Sequence, residues 1–219
     1  RAPSCAGHQA HPPSIVAVYR SPGPSKLVRR EEYTGSERRR SMDSAGGSRS
    51  SVEARVDGGS VERFLEGVER VSASDRETIE TVLADCGVGS VRSEAWYPLS
   101  AVLDAVGVVV EAVGTDALAA GGRQCGDVVA DDAMTVPEAL AVLDGTYRRH
   151  HRGDAGGYGF RQIGPTDGRV ECSTPYPCVL DRALVEGVAR TAADGYVSLA
   201  EVSTCRDDGA ERCTYELSW

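Results

Sequence analysis

Lysine is almost missing from this chain of 219 residues: Lys26 is the only one, and every other basic side chain is arginine or histidine. Trp and Phe are scarce as well, two of each. No stretch approaches the roughly 18 consecutive apolar residues of a membrane-spanning helix, which argues against a membrane span. The first residues lack the basic start and apolar core of a secretory signal, so a cytoplasmic protein with reduced thiols is expected. The seven cysteines, an odd number, fit a secreted disulfide framework poorly and favour metal or free thiols. Gly-x-Ser-x-Gly, His-Glu-x-x-His, Cys-x-x-Cys-His and a phosphate loop ending in Gly-Lys-Ser/Thr are all absent. No catalytic residue set or nucleotide fingerprint is therefore offered, and a non-catalytic protein is expected.

What is present is distributed unevenly. Residues 1–50 hold nine of the 24 Lys and Arg and four of the 33 Asp and Glu, a net of +5, which leaves the remainder at −14. So acidic a surface repels phosphate backbones, and no nucleic-acid partner is expected. An acidic, lysine-free composition also matches salt-adapted, halophilic proteins, where concentrated salt screens self-repulsion. Residues 1–50 carry five of the ten prolines and the run Arg38-Arg39-Arg40, without apolar periodicity. Such a segment buries too little surface to offset its ordering entropy. A disordered basic tail is expected over residues 1–55, with Met42 a candidate true start, and one folded domain over residues 56–219.

Within that domain, Val61, Phe64, Leu65, Val68 and Val71 follow helical spacing behind Ser60 as a cap. Ser74-x-x-Glu77 reads as a capping box for a second helix with Ile79, Val82 and Leu83. Pro98 opens a strongly apolar helix, and Thr135-x-x-Glu138 opens another through Leu140, Leu143 and Tyr147. The glycine-rich stretches Gly121 to Gly126 and Gly153 to Gly159 read as flexible connections. Two strands are expected at Tyr158 to Ile163 and Arg169 to Ser173. A helix capped by Asp181 follows, then strands at Tyr196 to Thr204 and Cys213 to Trp219. Helices first and an antiparallel sheet late give an α+β class.

Four cysteines lie on two turns near the C-terminus. Cys172 and Cys178 bracket Ser173 to Pro177, and Cys205 and Cys213 bracket Arg206 to Arg212. Thiols on two separate turns point to a metal knot; small apolar groups in a sheet core are the alternative. Trp96, Tyr97, Tyr158 and Phe160 are candidate linings of an apolar pocket, although core packing accounts for the same residues. His150-His151 ends a cationic helix terminus and reads as a surface pair.

From Trp96 onward the order of features resembles the vinyl-reductase-type small-molecule-binding domain. Its superfamily also includes relatives of the haem-NO-binding proteins and of Golgi transport tethers. The likeness rests on Trp96-Tyr97-Pro98-Leu99 leading into an apolar helix, and on Thr135 to Tyr147 running into Arg148-Arg149-His150-His151-Arg152-Gly153. Pro175-Tyr176-Pro177-Cys178 before a helix and the terminal Cys205-x7-Cys213-x-Tyr215 complete it. The resemblance implies an α+β fold around an apolar cavity, a hydrophobic small-molecule ligand and a homodimer. It also implies a structural zinc on Cys178, Glu201, Cys205 and Cys213, with Cys172 a rival fourth ligand. In regular strand geometry Glu201 and Cys205 would stand about 13 Å apart, so the chain must bend near Ser203-Thr204. The Tyr-x-Ser-x-Arg motif of the haem-NO-binding proteins is absent, and haem is not expected. The function implied is a ligand-binding or sensory domain, with a tetrapyrrole (vinyl group) reductase or its assembly factor and a dimeric scaffold as alternatives.

Overall fold

The computed structural model describes residues 53–131, 133–203 and 205–219; the expected tail lies outside them, apart from its last three residues. Strand β1 (Arg55–Asp57) leads straight into α1 (Gly58–Glu69), and α2 (Ala73–Asp85) follows. Next come β2 (Trp96–Pro98), α3 (Leu99–Val113), α4 (Thr115–Asp127) and α5 (Val136–His150). The C-terminal half runs β3 (His151–Arg152), β4 (Tyr158–Gln162), β5 (Asp167–Cys172), α6 (Cys178–Ala192), β6 (Ser198–Glu201) and β7 (Cys213–Ser218). The class is α+β, as expected. No helix among the described residues is long and apolar enough to cross a membrane.

Two antiparallel sheets form, a small one ordered β2-β1-β3 and a four-stranded one ordered β4-β5-β7-β6. The small sheet was not legible in the sequence, because its strands are two or three residues long and adjoin helices. In β7 the alternation holds: Cys213, Tyr215 and Leu217 are buried on one face.

Helix starts follow local chemistry, with three shifts from expectation. Pro98 precedes α3, and the Glu138 carboxylate accepts the Thr135 N–H at 2.8 Å and its hydroxyl at 2.7 Å, both as read from the sequence. The first helix, however, is capped by Asp57, whose Oδ1 accepts the Ser60 N–H at 2.7 Å, and the second by Ser72, which accepts from Asp75. Asp181 caps nothing, since α6 already starts at Cys178 behind Pro177.

The stretch Gly121 to Gly126 is a further correction. It is helical, the second half of α4, and packs between α1 and α6. A Cβ on Gly126 would stand 2.2 Å from the Leu184 carbonyl oxygen, and one on Gly122 would stand 2.8 Å from that of Leu180. Glycine serves here for close backbone approach rather than for flexibility. The Gly153 to Gly159 connection is tied down too, since the Tyr147 hydroxyl donates to the Ala155 carbonyl at 2.6 Å.

Candidate functional site

Cys178 opens α6, Cys213 opens β7, and Cys205 precedes the 3-10 turn Arg206–Asp208 between β6 and β7. Their sulfurs form a near-equilateral triangle, 3.1, 3.1 and 3.2 Å on a side, and all three residues are buried. Burial pushes the Cys178 and Cys205 thiols above their ordinary pKa, and the Glu201 carboxylate beside Cys205 adds to its rise. Burial also acts upward on Cys213. There the Arg206 N–H, at 3.4 Å from the sulfur, and the neighbouring thiols outweigh it and leave the value lowered.

Among the described residues these three thiols are the only group of three or more side chains whose metal-ligating atoms all lie within 4.8 Å of one another. Glu201 ends β6 opposite Tyr215, and Cys205 follows beyond the strand; the Glu201 carboxylate, although beside Cys205, is not among the ligand atoms gathered within 4.8 Å of one another. Cys172 pairs with Cys213 in the β5–β7 register, yet its sulfur lies outside the triangle.

Beside the triangle is a buried polar hub. Asp181, with no solvent exposure, accepts the Tyr158 hydroxyl at 2.6 Å, the Thr174 hydroxyl at 2.8 and 2.9 Å, and the Arg206 guanidinium at 2.5 Å. Burial raises the Asp181 pKa, and the three donors oppose that rise.

Tyr158 also lines a cavity of about 140 Å³, whose wall is largely apolar side chains of α1, α2, α3, α5 and α6. Its polar lining includes Tyr147, His150, His151, Tyr158 and Tyr176. The His151 ring nitrogens meet the Tyr147 carbonyl at 2.9 Å and the Tyr176 hydroxyl at 2.8 Å, and burial lowers its pKa. His150 places Nδ1 2.5 Å from the Asp57 carboxylate. A proton on Nδ1 donates to that carboxylate, and in the neutral ring Nε2 is then an acceptor.

Of the four aromatics expected to line the pocket, only Tyr158 does so. Trp96 is held in β2 under the Arg152 guanidinium, 3.8 Å from its ring centroid. Tyr97 points to the loop between α2 and β2, where its hydroxyl accepts the Arg92 N–H at 2.8 Å. Phe160 lies one register step beyond Tyr158 on β4, over Gly168. Tyr147, Tyr176 and the two histidines were missed as lining. A signal existed: the inward stripe Leu140, Leu143, Tyr147 of α5 continues at three and four residues onto His150 and His151.

No protein-family model matches the sequence, and no curated protein matches it. Solved structures do. An H-NOX protein from S. oneidensis in the Fe(II)NO ligation state superposes with a TM-score of 0.57 at 16% identity, covering 74% of this chain and 98% of that one. An oxygen-binding H-NOX domain related to soluble guanylate cyclases, in its oxygen complex, gives 0.54 at 13% identity over 74% and 94%. A structure concerned with haem redox potential and protein-induced porphyrin distortion gives 0.57 at 13% over 74% and 99%. The chain therefore has the fold of the H-NOX, haem-NO-binding, domains. Of the resemblance read from the sequence only the fold is borne out, and the vinyl-reductase label finds no support. The expectation that haem is no ligand is overturned, because the structures sharing this fold include haem proteins. The two histidines read as surface groups stand in the cavity wall.

Proposed function

We propose that this domain is a small-molecule sensor, with the cavity as its ligand site and the cysteine triangle as a structural zinc site. One observation carries the reading: an apolar cavity whose wall holds a histidine anchored by a carboxylate. At about 140 Å³ it is close in volume to the engineered cavity of about 150 Å³ that admits benzene or xenon. A compact apolar guest fits without rearrangement, and a guest with one hydroxyl or N–H donor gains His150 Nε2 as acceptor. Binding orders the α1 and α5 side chains, which is the change a partner would read. Native mass spectrometry of the protein from its own cells, folded against denatured, tests this. A bound small molecule is expected; an empty protein that also takes up no benzene sinks the reading.

A second reading has its own observation. A metal-bound histidine commonly gives its other ring N–H to a carboxylate, and Asp57 stands in that relation to His150. His150 through Nε2 would hold haem iron, with Arg63 of the lining offering a cation for a haem carboxylate, in a cavity that must open well beyond its benzene-sized volume to admit the macrocycle. Bound there, haem would supply the iron that takes up a diatomic gas. Haem added to the protein should then give a visible absorption band that His150→Ala abolishes. No band with the native chain discards this reading and leaves the compact guest.

The donor set also fits zinc. Zinc–sulfur bonds of about 2.3 Å in a tetrahedron put sulfurs about 3.8 Å apart, so the triangle needs to open by well under 1 Å. Glu201, beside Cys205, is the proposed fourth ligand. A shell filled by protein groups leaves no open position, so the ion would be structural. Elemental analysis should find one zinc per chain, lost in Cys178→Ser and retained in Cys125→Ser.

A further inference from the structure

Arg206 has more partners than a turn residue needs. Its guanidinium lies 2.5 Å from Asp181 Oδ2, 2.9 Å from the Tyr176 carbonyl, 3.4 Å from the Thr174 hydroxyl and 3.9 Å from Cys178 Sγ. Its own backbone N–H donates to Cys213 Sγ. The side chain is only 15% exposed, and burying a cation costs several kcal/mol unless it is well paired. Two routes lead from it to the cavity wall. One passes through Asp181 to the Tyr158 hydroxyl, and the other through Tyr176, whose hydroxyl meets His151 Nε2. Tyr158, Tyr176 and His151 all line the cavity.

We propose that the cysteine triangle and the cavity form one coupled unit, with Arg206 the positioning residue that transmits the state of the thiols to Tyr158 and Tyr176. The proposal rests on the zinc and ligand readings above and adds the regulation between the two sites. When zinc enters, the thiols lose their protons to solvent, and the dication with three thiolates and the Glu201 carboxylate carries a net charge of −2, one unit more negative than neutral thiols beside that carboxylate. Arg206 is the cation next to that charge. Its N–H groups strengthen toward the sulfurs, as donors around a metal's ligands do, at the expense of Asp181 and the Tyr176 carbonyl. Asp181 then leans on Tyr158 and Thr174, which fixes the Tyr158 hydroxyl and the polar edge of the cavity. By linkage, a guest that favours the fixed edge tightens zinc binding by the same factor that zinc tightens the guest. A purely structural Arg206 would hold the turn and leave the two affinities independent.

The test uses the full chain, reduced, with benzene as the cavity probe and zinc affinity read by competition with a chromophoric chelator. Zinc-loaded and zinc-free protein should differ in benzene Kd at least about fivefold, the low end of measured couplings. Saturating benzene should shift the zinc Kd by the same ratio. Tyr158→Phe removes one route without touching the thiols. It should keep one zinc per chain and cut the ratio to less than half. Arg206→Gln should bring the ratio to one, and if that variant does not fold, Tyr158→Phe carries the test alone. Equal benzene affinity with and without zinc in the native chain, with both ligands binding, overturns the coupling alone, as does a full ratio in Tyr158→Phe. Failure of zinc to bind overturns the metal reading and the coupling together. Failure of benzene to bind does the same for the compact-guest reading.

Discussion

The seam between α4 and α6 and the cavity bounded by α1, α3 and α5 are neighbours with opposite packing. At the seam there is no room for a methyl group: a Cβ on Gly187 would stand 2.4 Å from the Arg123 carbonyl, and one on Gly126 would stand 2.2 Å from that of Leu184. A few ångströms away the same α6 turns Leu180 and Leu184 toward about 140 Å³ of open space. The first region explains the second. Helices already in backbone contact cannot approach further, so they cannot collapse onto the void as an overpacked or molten core would. α1 belongs to both, since Gly67 faces the Ala120 carbonyl at the seam while Val61 and Phe64 line the cavity. The cavity is held open by the tightness beside it.

The largest expected effect comes from removing the anchor at the start of α6. If zinc is bound with a free concentration a thousandfold above Kd, it stabilises by about 4 kcal/mol. Stripping it should lower Tm by roughly 10 °C at 2–4 °C per kcal/mol. Cys178→Ser should reproduce the loss, Cys125→Ser should not, and a Tm indifferent to chelator would detach this end from the seam's stability. Next is the seam itself. Gly126→Ala forces a methyl against a carbonyl and should cost about 1–3 kcal/mol in urea unfolding. Gly107→Ala, on an exposed face of α3 with nothing within 4 Å, should instead stabilise by up to about 1 kcal/mol. If both behave alike, the seam is not the tight region described.

The cavity should respond in the opposite sense to the seam. Ala105, buried in α3 and in the lining, can grow: Ala105→Leu should change stability by less than about 1.5 kcal/mol while abolishing benzene binding measured by calorimetry. A loss as large as that of Gly126→Ala would mean the space is not available. The smallest effect is a pH dependence. His151 has a folded pKa lowered by burial from 6.5, so below that value the unfolded chain binds a proton that the folded chain does not. Stability is then lost as pH falls below about 6.5, down to the folded value, and regained on raising it. Replacing His151 by Phe, which keeps the ring over Tyr147, should flatten that part of the Tm–pH curve.

Legibility followed the range of the interactions. The Thr135–Glu138 pair, Pro98 before α3 and the alternation of β7 are set within a few residues, and each was read correctly. The four late cysteines were read beside their turns, and the fold gathers three of them. Trp96, Tyr97 and Phe160 were misassigned to the pocket because aromatic residues satisfy a core and a cavity equally well. α4 was missed because its glycines lower helix propensity locally and are explained only by the helices they touch.

The sequence by itself determined the α+β order, the starts of α3 and α5 and the four late cysteines from which the thiol cluster is drawn, because backbone propensity, capping and strand period act over one or two turns of chain. Tertiary structure alone decided that Asp181 is a hub instead of a cap, and that Asp57 turns His150 into a cavity group. It also decided that glycines far apart in the chain set the helix spacing that leaves the cavity open. Those outcomes depend on contacts between Asp57 and His150, Gly67 and Ala120, and Tyr158 and Asp181, and no local pattern encodes the distance at which distant segments will meet.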